Sequence, residues 1–248
     1  MAHWYRQDGT LVDGANMRLA RAQNLLPSVT TILDILDKPG LNKWKMRVGP
    51  EEAERVGAET SAEGARIHNL ISQWVIVYMN KEYVRPLETP GDDWEVAAEQ
   101  AGIFEEDFYM LQPALEWLQE NVSRDHPVMS ELSLTHQMGY AGTIDIACND
   151  TDGNRMLIDM KTRDIKTAPK RVERYFEYGI QLGGYESLLD PAKEDEHRWV
   201  SLIINRDPSK PMCVPQEWNT QDKTRARQAF SHLVAAWQAI KNYTPMLG

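Results

Sequence analysis

The hydrophobic period of this chain changes once, near Pro127, and that change constrains the fold more than any other feature. Before it, apolar residues recur at helical spacing; after it, they alternate in steps of two. Val29, Ile32, Leu33 and Leu36 follow Pro27-Ser28, where Ser28 is a natural helix cap, and Pro39-Gly40 is expected to close that helix. Ile67, Leu70, Ile71, Trp74 and Tyr78 form an apolar stripe that predicts a helix over 62–79. A third helix is expected over 94–122, with a break near Pro113. Ahead of these, Asp8-Gly9 predicts a tight turn between Trp4-Tyr5 and Leu11-Val12.

Beyond Pro127 the alternation predicts strands over 129–136, 142–148 and 155–161, a helix over 171–189, a strand over 198–205 and a last helix over 222–240. The expectation is a mixed α/β fold with an antiparallel meander. At 248 residues one domain is the default. It would join a mainly helical region, 1–125, to a sheet-containing core, 126–248. The longest apolar run, Trp74 to Met79, is far short of a membrane span, and the N-terminus lacks an apolar signal region, so a cytoplasmic location is expected.

The meander brings acids together. Ile144, Ile146 and Cys148 share one strand face and leave Asp145 on the other; Met156, Ile158 and Met160 do the same for Asp159 and Lys161. Folding about the turn-rich 149–154 segment places Asp145 beside Ile158 or Asp159, and folding about Met138-Gly139 places Glu131 beside Asp145. Like charges facing each other destabilise a sheet, so this arrangement calls for a cation. Mg²⁺ or Mn²⁺ on Asp145, Asp159 and the Met160 backbone carbonyl fits, with Lys161 placed to orient water and offset charge on a phosphate. The alternative is an Asp and a Lys on the solvent face of an ordinary amphipathic strand.

In order along the chain, Leu26-Pro27-Ser28, Gly64-Ala65-Arg66-Ile67-His68, Gly142-Thr143-Ile144-Asp145, Ile158-Asp159-Met160-Lys161-Thr162 and Gln181-Leu182-Gly183-Gly184-Tyr185 resemble the motifs of the PD-(D/E)XK nuclease superfamily. Within it they are most similar to the RecB-like exonucleases, a group that includes phage-type exonucleases and the mitochondrial genome maintenance exonuclease. The resemblance covers roughly 26–190. It implies a restriction-endonuclease-like sheet flanked by helices and a Mg²⁺- or Mn²⁺-dependent deoxyribonuclease, an exonuclease by preference, in phage or bacterial recombination, repair or degradation. Asp145, Asp159 and Lys161 would form the catalytic core, with Gln181 supporting them and His68 as a further metal ligand. Glu131 joins on register alone. No proline precedes Asp145, and the four cysteines of the cluster-bearing members are absent, so no iron–sulfur cluster is expected.

DNA, with its ends, is the implied partner, and the setting admits a recombination or single-strand-binding protein. The net charge of −10 argues against coating nucleic acid with a general positive field, but not against a local basic groove. Lys43 and Lys45, with neighbouring Lys38 and Arg47, and the run Arg163, Lys166, Lys170, Arg171 and Arg174 are candidates; each cluster also reads as a solvated face. Trp44 either joins the core or stacks on an unpaired base, and Tyr178 and Tyr185 either pack or reach phosphates. Cys148 and Cys213, Trp199 and Trp237 read as packing. Two rival functions remain: a non-catalytic DNA-binding module on a nuclease scaffold, and a site-specific endonuclease.

Overall fold

The structure is a computed structural model that describes residues 2–79, 93–189 and 197–246. It opens with short strands β1 (Trp4–Tyr5) and β2 (Leu11–Val12), joined by the expected turn: Gly9 takes φ of +85° and the Arg6 carbonyl accepts from its N–H. Helix α1 (Met17–Gln23) is capped by the Asn16 side chain, and strand β3 (Leu26–Pro27) pairs with β1. Ser28 then caps α2 (Val29–Leu33) by accepting the Thr31 N–H at 2.9 Å, as its sequence context predicts.

In the first half of the chain, three boundaries differ from the sequence reading. Pro39 does not close a helix but opens one, α3 (Pro39–Val48); a proline in the first turn loses no hydrogen bond and has a ready-made helical φ. Gly49, at φ +87°, separates it from α4 (Pro50–Trp74), which begins twelve residues before the apolar stripe predicts and runs on into a π-helical turn, Val75–Met79. The third helix breaks at Gly102, φ +79°, giving α5 (Asp93–Gln100) and α6 (Glu105–Asn121), while Pro113 is accommodated inside α6.

The meander is present: β4 (Met129–His136), β5 (Tyr140–Asn149) and β6 (Arg155–Arg163) pair antiparallel. After a 3₁₀ turn at Pro169–Arg171, helix α7 (Phe176–Leu189) starts five residues later than predicted and leads to β7 (Arg198–Asn205), which lies parallel to β6. Strand β8 (Cys213–Glu217), unforeseen because Pro215 interrupts its pattern, completes the order β4-β5-β6-β7-β8 at an edge, where a proline is tolerated. Helix α8 (Thr220–Lys241) ends the fold.

The sheet does not have the single core face that alternation predicts. On one side Ile146, Met156, Ile158, Met160 and Leu202 pack against α4, the π turn, α5 and α6. On the other, Ile144, Ala147, Leu157 and Trp199 pack against α2, α7 and α8, with Trp4 and Trp237 in the same cluster, so Ile144 does not share a face with Ile146 and Cys148 as the alternation predicts. The protein is thus a mixed α/β fold with helices on both faces of its larger sheet. Residues from the first half enter both clusters, so the helical and sheet regions share their cores. No described helix is long and apolar enough to cross a membrane.

Candidate metal centre

The predicted registers bring the acids together. Ser130 faces Ile146 and Leu132 faces Ile144, so Glu131 stands across from Asp145; Ile146 faces Ile158, one step from Asp145 and Asp159. The paired run of β5 and β6 stops there, and the Met160 N–H donates to Asp145 Oδ2 at 2.6 Å. Glu131 has φ of +52°, a left-handed conformation that costs a non-glycine residue about 1–3 kcal/mol.

Burial is what the alternation pattern missed. With α7 covering that face, Asp145 and Asp159 are 8% and 0% exposed rather than solvent-facing. Asp159 Oδ1 accepts from Lys161 Nζ at 2.8 Å and from Gln181 Nε2 at 2.9 Å, and Gln181 also donates to the Tyr185 hydroxyl. Lys161 Nζ stands 2.7 Å from Asp159 Oδ2 as well, but off the direction of a hydrogen bond, which leaves that buried oxygen without one. The ammonium lies 5.5 Å from the Tyr178 ring centroid.

From the opposite layer, α4 brings His68, whose Nδ1 is 3.6 Å from Asp145 Oδ1. Gly64, one turn earlier, lets the helix lie close: a Cβ there would come within 3.0 Å of Thr162 Oγ1. His68, Glu131 and Asp145 each offer a ligand atom, all within 4.8 Å of one another. The group therefore differs from the Asp145–Asp159–Met160 carbonyl set derived from the strands. Glu131 takes the place expected of Asp159, which is engaged by Lys161 and Gln181.

The electrostatics of the cluster are those of too many acids in too little water. Burial, reinforced by the charge on Asp145, pushes Asp159 up to about 6 despite Lys161, and burial followed by the same charge raises Glu131. Burial would raise Asp145 too, but His68, Lys161 and the Met160 N–H outweigh it and hold it low. Burial would lower His68, and Asp145 reverses that. An imidazole nitrogen with two carboxylate oxygens is a donor set that a divalent metal ion could use, and Asp159 Oδ2, which accepts no hydrogen bond, is paired with the Lys161 ammonium.

The remaining candidates scatter. Lys43, Lys45 and Arg47 are exposed on α3, which buries no residue, and Trp44 is half-buried and belongs to neither large core cluster. Lys166, Lys170 and Arg171 are exposed. Arg163 is bound to the Glu173 carbonyl and the Tyr175 hydroxyl, and Arg174 to Asp222 and the Glu217 carbonyl. Lys38 pairs with Glu177 at the start of α7. Tyr185 is 6% exposed with its hydroxyl turned to Gln181, so it lies inside the protein rather than on a DNA-facing surface. Ser72 and Ser130, which sequence reasoning missed, border the cluster; the only available signal was the four-residue spacing of Ser72 from His68.

Fold and site define a mixed α/β protein with a His–Glu–Asp group of a size to hold a metal ion. No family model and no curated protein matches the chain. Among solved structures, the crystal structure of SSO0001 is similar at 14% identity and a TM-score of 0.32, over 69% of this chain and 75% of that one.

Proposed function

We propose that this chain is a divalent-metal-dependent deoxyribonuclease on a restriction-endonuclease-like core, with an exonuclease the favoured form. The observation that carries the reading is the convergence of His68, Glu131, Asp145, Asp159 and Lys161 where β5 and β6 part, from elements on both faces of the sheet. The ordered motifs of the sequence name His68, Asp145, Asp159 and Lys161, and strand register adds Glu131.

His68, Glu131 and Asp145 would hold Mg²⁺ or Mn²⁺, with Asp159 beside them paired to Lys161. Bound there, the metal supplies Lewis-acid activation of water and of a phosphodiester oxygen. Lys161, 20% exposed beside fully buried Asp159, orients the attacking water and offsets charge building on the phosphate. Gln181 holds Asp159 in place, and Tyr185 in turn orients Gln181. Exposed Lys43, Lys45, Lys166, Lys170 and Arg171 supply contacts to the DNA backbone.

Linear single- and double-stranded DNA incubated with the full chain and Mn²⁺, against an EDTA control, tests the reading. Degradation is expected, lowered about 100-fold or more by Asp159→Ala or Lys161→Ala. A covalently closed circular substrate separates the two nuclease forms, since an exonuclease leaves it intact. Absence of degradation, or degradation indifferent to both substitutions, refutes the assignment.

A further inference from the structure

Beside the metal cluster lies a pair of hydroxyls that nucleic-acid chemistry does not call for. Ser72 follows His68 by four residues and so shares its face of α4, and it is 2% exposed. Ser130 immediately precedes Glu131 on β4. The Ser130 hydroxyl donates to the backbone carbonyl of Asp145 at 3.0 Å and lies 2.8 Å from Ser72 Oγ. One hydroxyl pair thus links the three elements that carry His68, Glu131 and Asp145.

Stability alone gives little reason for a serine at 72. The helix already has Ile67, Ile71 and Trp74 buried in the layer beneath it. Alanine is the better helix former and would spare the burial of a hydroxyl. What a serine adds is a directional link, and directional links fix distances that apolar packing leaves adjustable. The distances in question are those among three ligand atoms that lie within 4.8 Å of one another. They belong to two layers, which side-chain packing alone would let slide by fractions of an ångström.

We propose that Ser72 and Ser130 are positioning residues that set the spacing of His68, Glu131 and Asp145, and through it the affinity of the site for a divalent cation. The proposal rests on the reading of that cluster as a metal site, and its test separates the two ideas. Outer partners of metal ligands typically control affinity by 10–100-fold without touching the ion.

Calorimetric titration of the full chain with MnCl₂ is the measurement, made on wild type, Ser72→Ala, Ser130→Ala, the double variant and Asp145→Asn, with thermal unfolding of each in EDTA. Ser72→Ala and Ser130→Ala are each expected to weaken Mn²⁺ binding on the order of 10-fold. The double variant should be little worse than either, because the two hydroxyls act as one link. Ser130→Thr, which keeps the hydroxyl on a strand-compatible side chain, should restore affinity. Unfolding in EDTA should leave Ser72→Ala as stable as wild type or more so, which excludes a general loosening as the cause. Wild-type affinity in both alanine variants would overturn the proposal while leaving the metal site standing, and a Ser130→Thr variant as weak as Ser130→Ala would also count against it. Failure of wild type itself to bind Mn²⁺, with Asp145→Asn indistinguishable from it, would overturn the metal site and the positioning role together.

Discussion

At the scale of single residues, the cluster is held in an uneasy ionisation balance. Asp145 is held low by its neighbours while Asp159 and Glu131 are pushed the other way, and Asp145 raises the pKa of His68. Wherever His68 is protonated, a metal must displace that proton before it can use the nitrogen. Since the His68 pKa is raised above its ordinary 6.5, Mn²⁺ affinity should fall as pH drops through neutrality and keep falling as Asp159 and Glu131 take up protons. Titrations at about pH 8, 7 and 6 would show the slope, and a flat profile would mean that His68 is not a ligand. The meeting of Asp145, Asp159 and Glu131 was legible in the sequence, because strand period and turn position fix which side chains face one another. His68 and Gln181 were legible only through the motif resemblance, since no local rule says which helix lies over which strand. Ser72 had only its four-residue spacing from His68 to mark it, and its contact with Ser130 depends on how α4 meets β4; the left-handed conformation at Glu131 left no sequence signal.

Among the elements, α3 and the first half of α4 stand apart. From Pro39 to Arg66 the one buried residue is Ala53, yet Lys38 ties the start of this segment to α7, and Gly64 seats its end against Thr162. The segment thus passes from the face covered by α7 to the face covered by α4, beside the His68–Glu131–Asp145 group. Helix α3 has no acidic residue in a chain of net charge −10, which gives it the sign expected of a DNA-facing element. Lys43→Glu/Lys45→Glu should weaken binding of single-stranded DNA and lower the slope of log affinity against log salt by about 0.7 for each phosphate no longer neutralised. Unfolding of the variant should match wild type, because neither lysine is buried. An unchanged salt slope would remove α3 from the proposed DNA interface. The sequence misplaced this element because Pro39-Gly40 reads equally well as the end of one helix or the first turn of the next. Helix α7 shows the converse. Gly179, Gly183 and Gly184 let it lie directly on Trp218, the backbone of α8 and Phe230, a closeness that leaves no room for a side chain at those three positions.

For the molecule as a whole, the deciding fact is that the larger sheet is covered twice. The second cover is held in part by a buried charge: Glu186 on α7, 0% exposed, accepts from Trp199 Nε1 on β7 at 2.9 Å and from Arg227 Nε on α8 at 2.6 Å, with His197 Nδ1 at 3.3 Å. Burial would raise its pKa, but His197, Arg227 and Trp199 outweigh it, so the folded value lies below the ordinary 4.5. A lowered carboxylate contributes stability above that ordinary value and loses it as pH falls through the folded one. Glu186→Gln should therefore destabilise the protein by about 3 kcal/mol near neutral pH, and the gap to wild type should close in acid. Urea unfolding at about pH 7 and below pH ~4 would check both parts, and a gap independent of pH would assign the effect to packing rather than charge. The strands of the meander, their register and the meeting of Asp145, Asp159 and Glu131 follow from the order of residues, because turns of known length fix which positions pair, although the period of two itself breaks at Asp145, where Ile144 and Ile146 enter opposite cores. That this acidic face is buried, that Glu131 rather than Asp159 groups with His68 and Asp145, and that Lys161 and Gln181 engage Asp159 became fixed only when the layers assembled. Those outcomes depend on α4 and α7 closing over opposite faces of one sheet, and contacts between segments so far apart in the chain leave no periodic trace in the sequence.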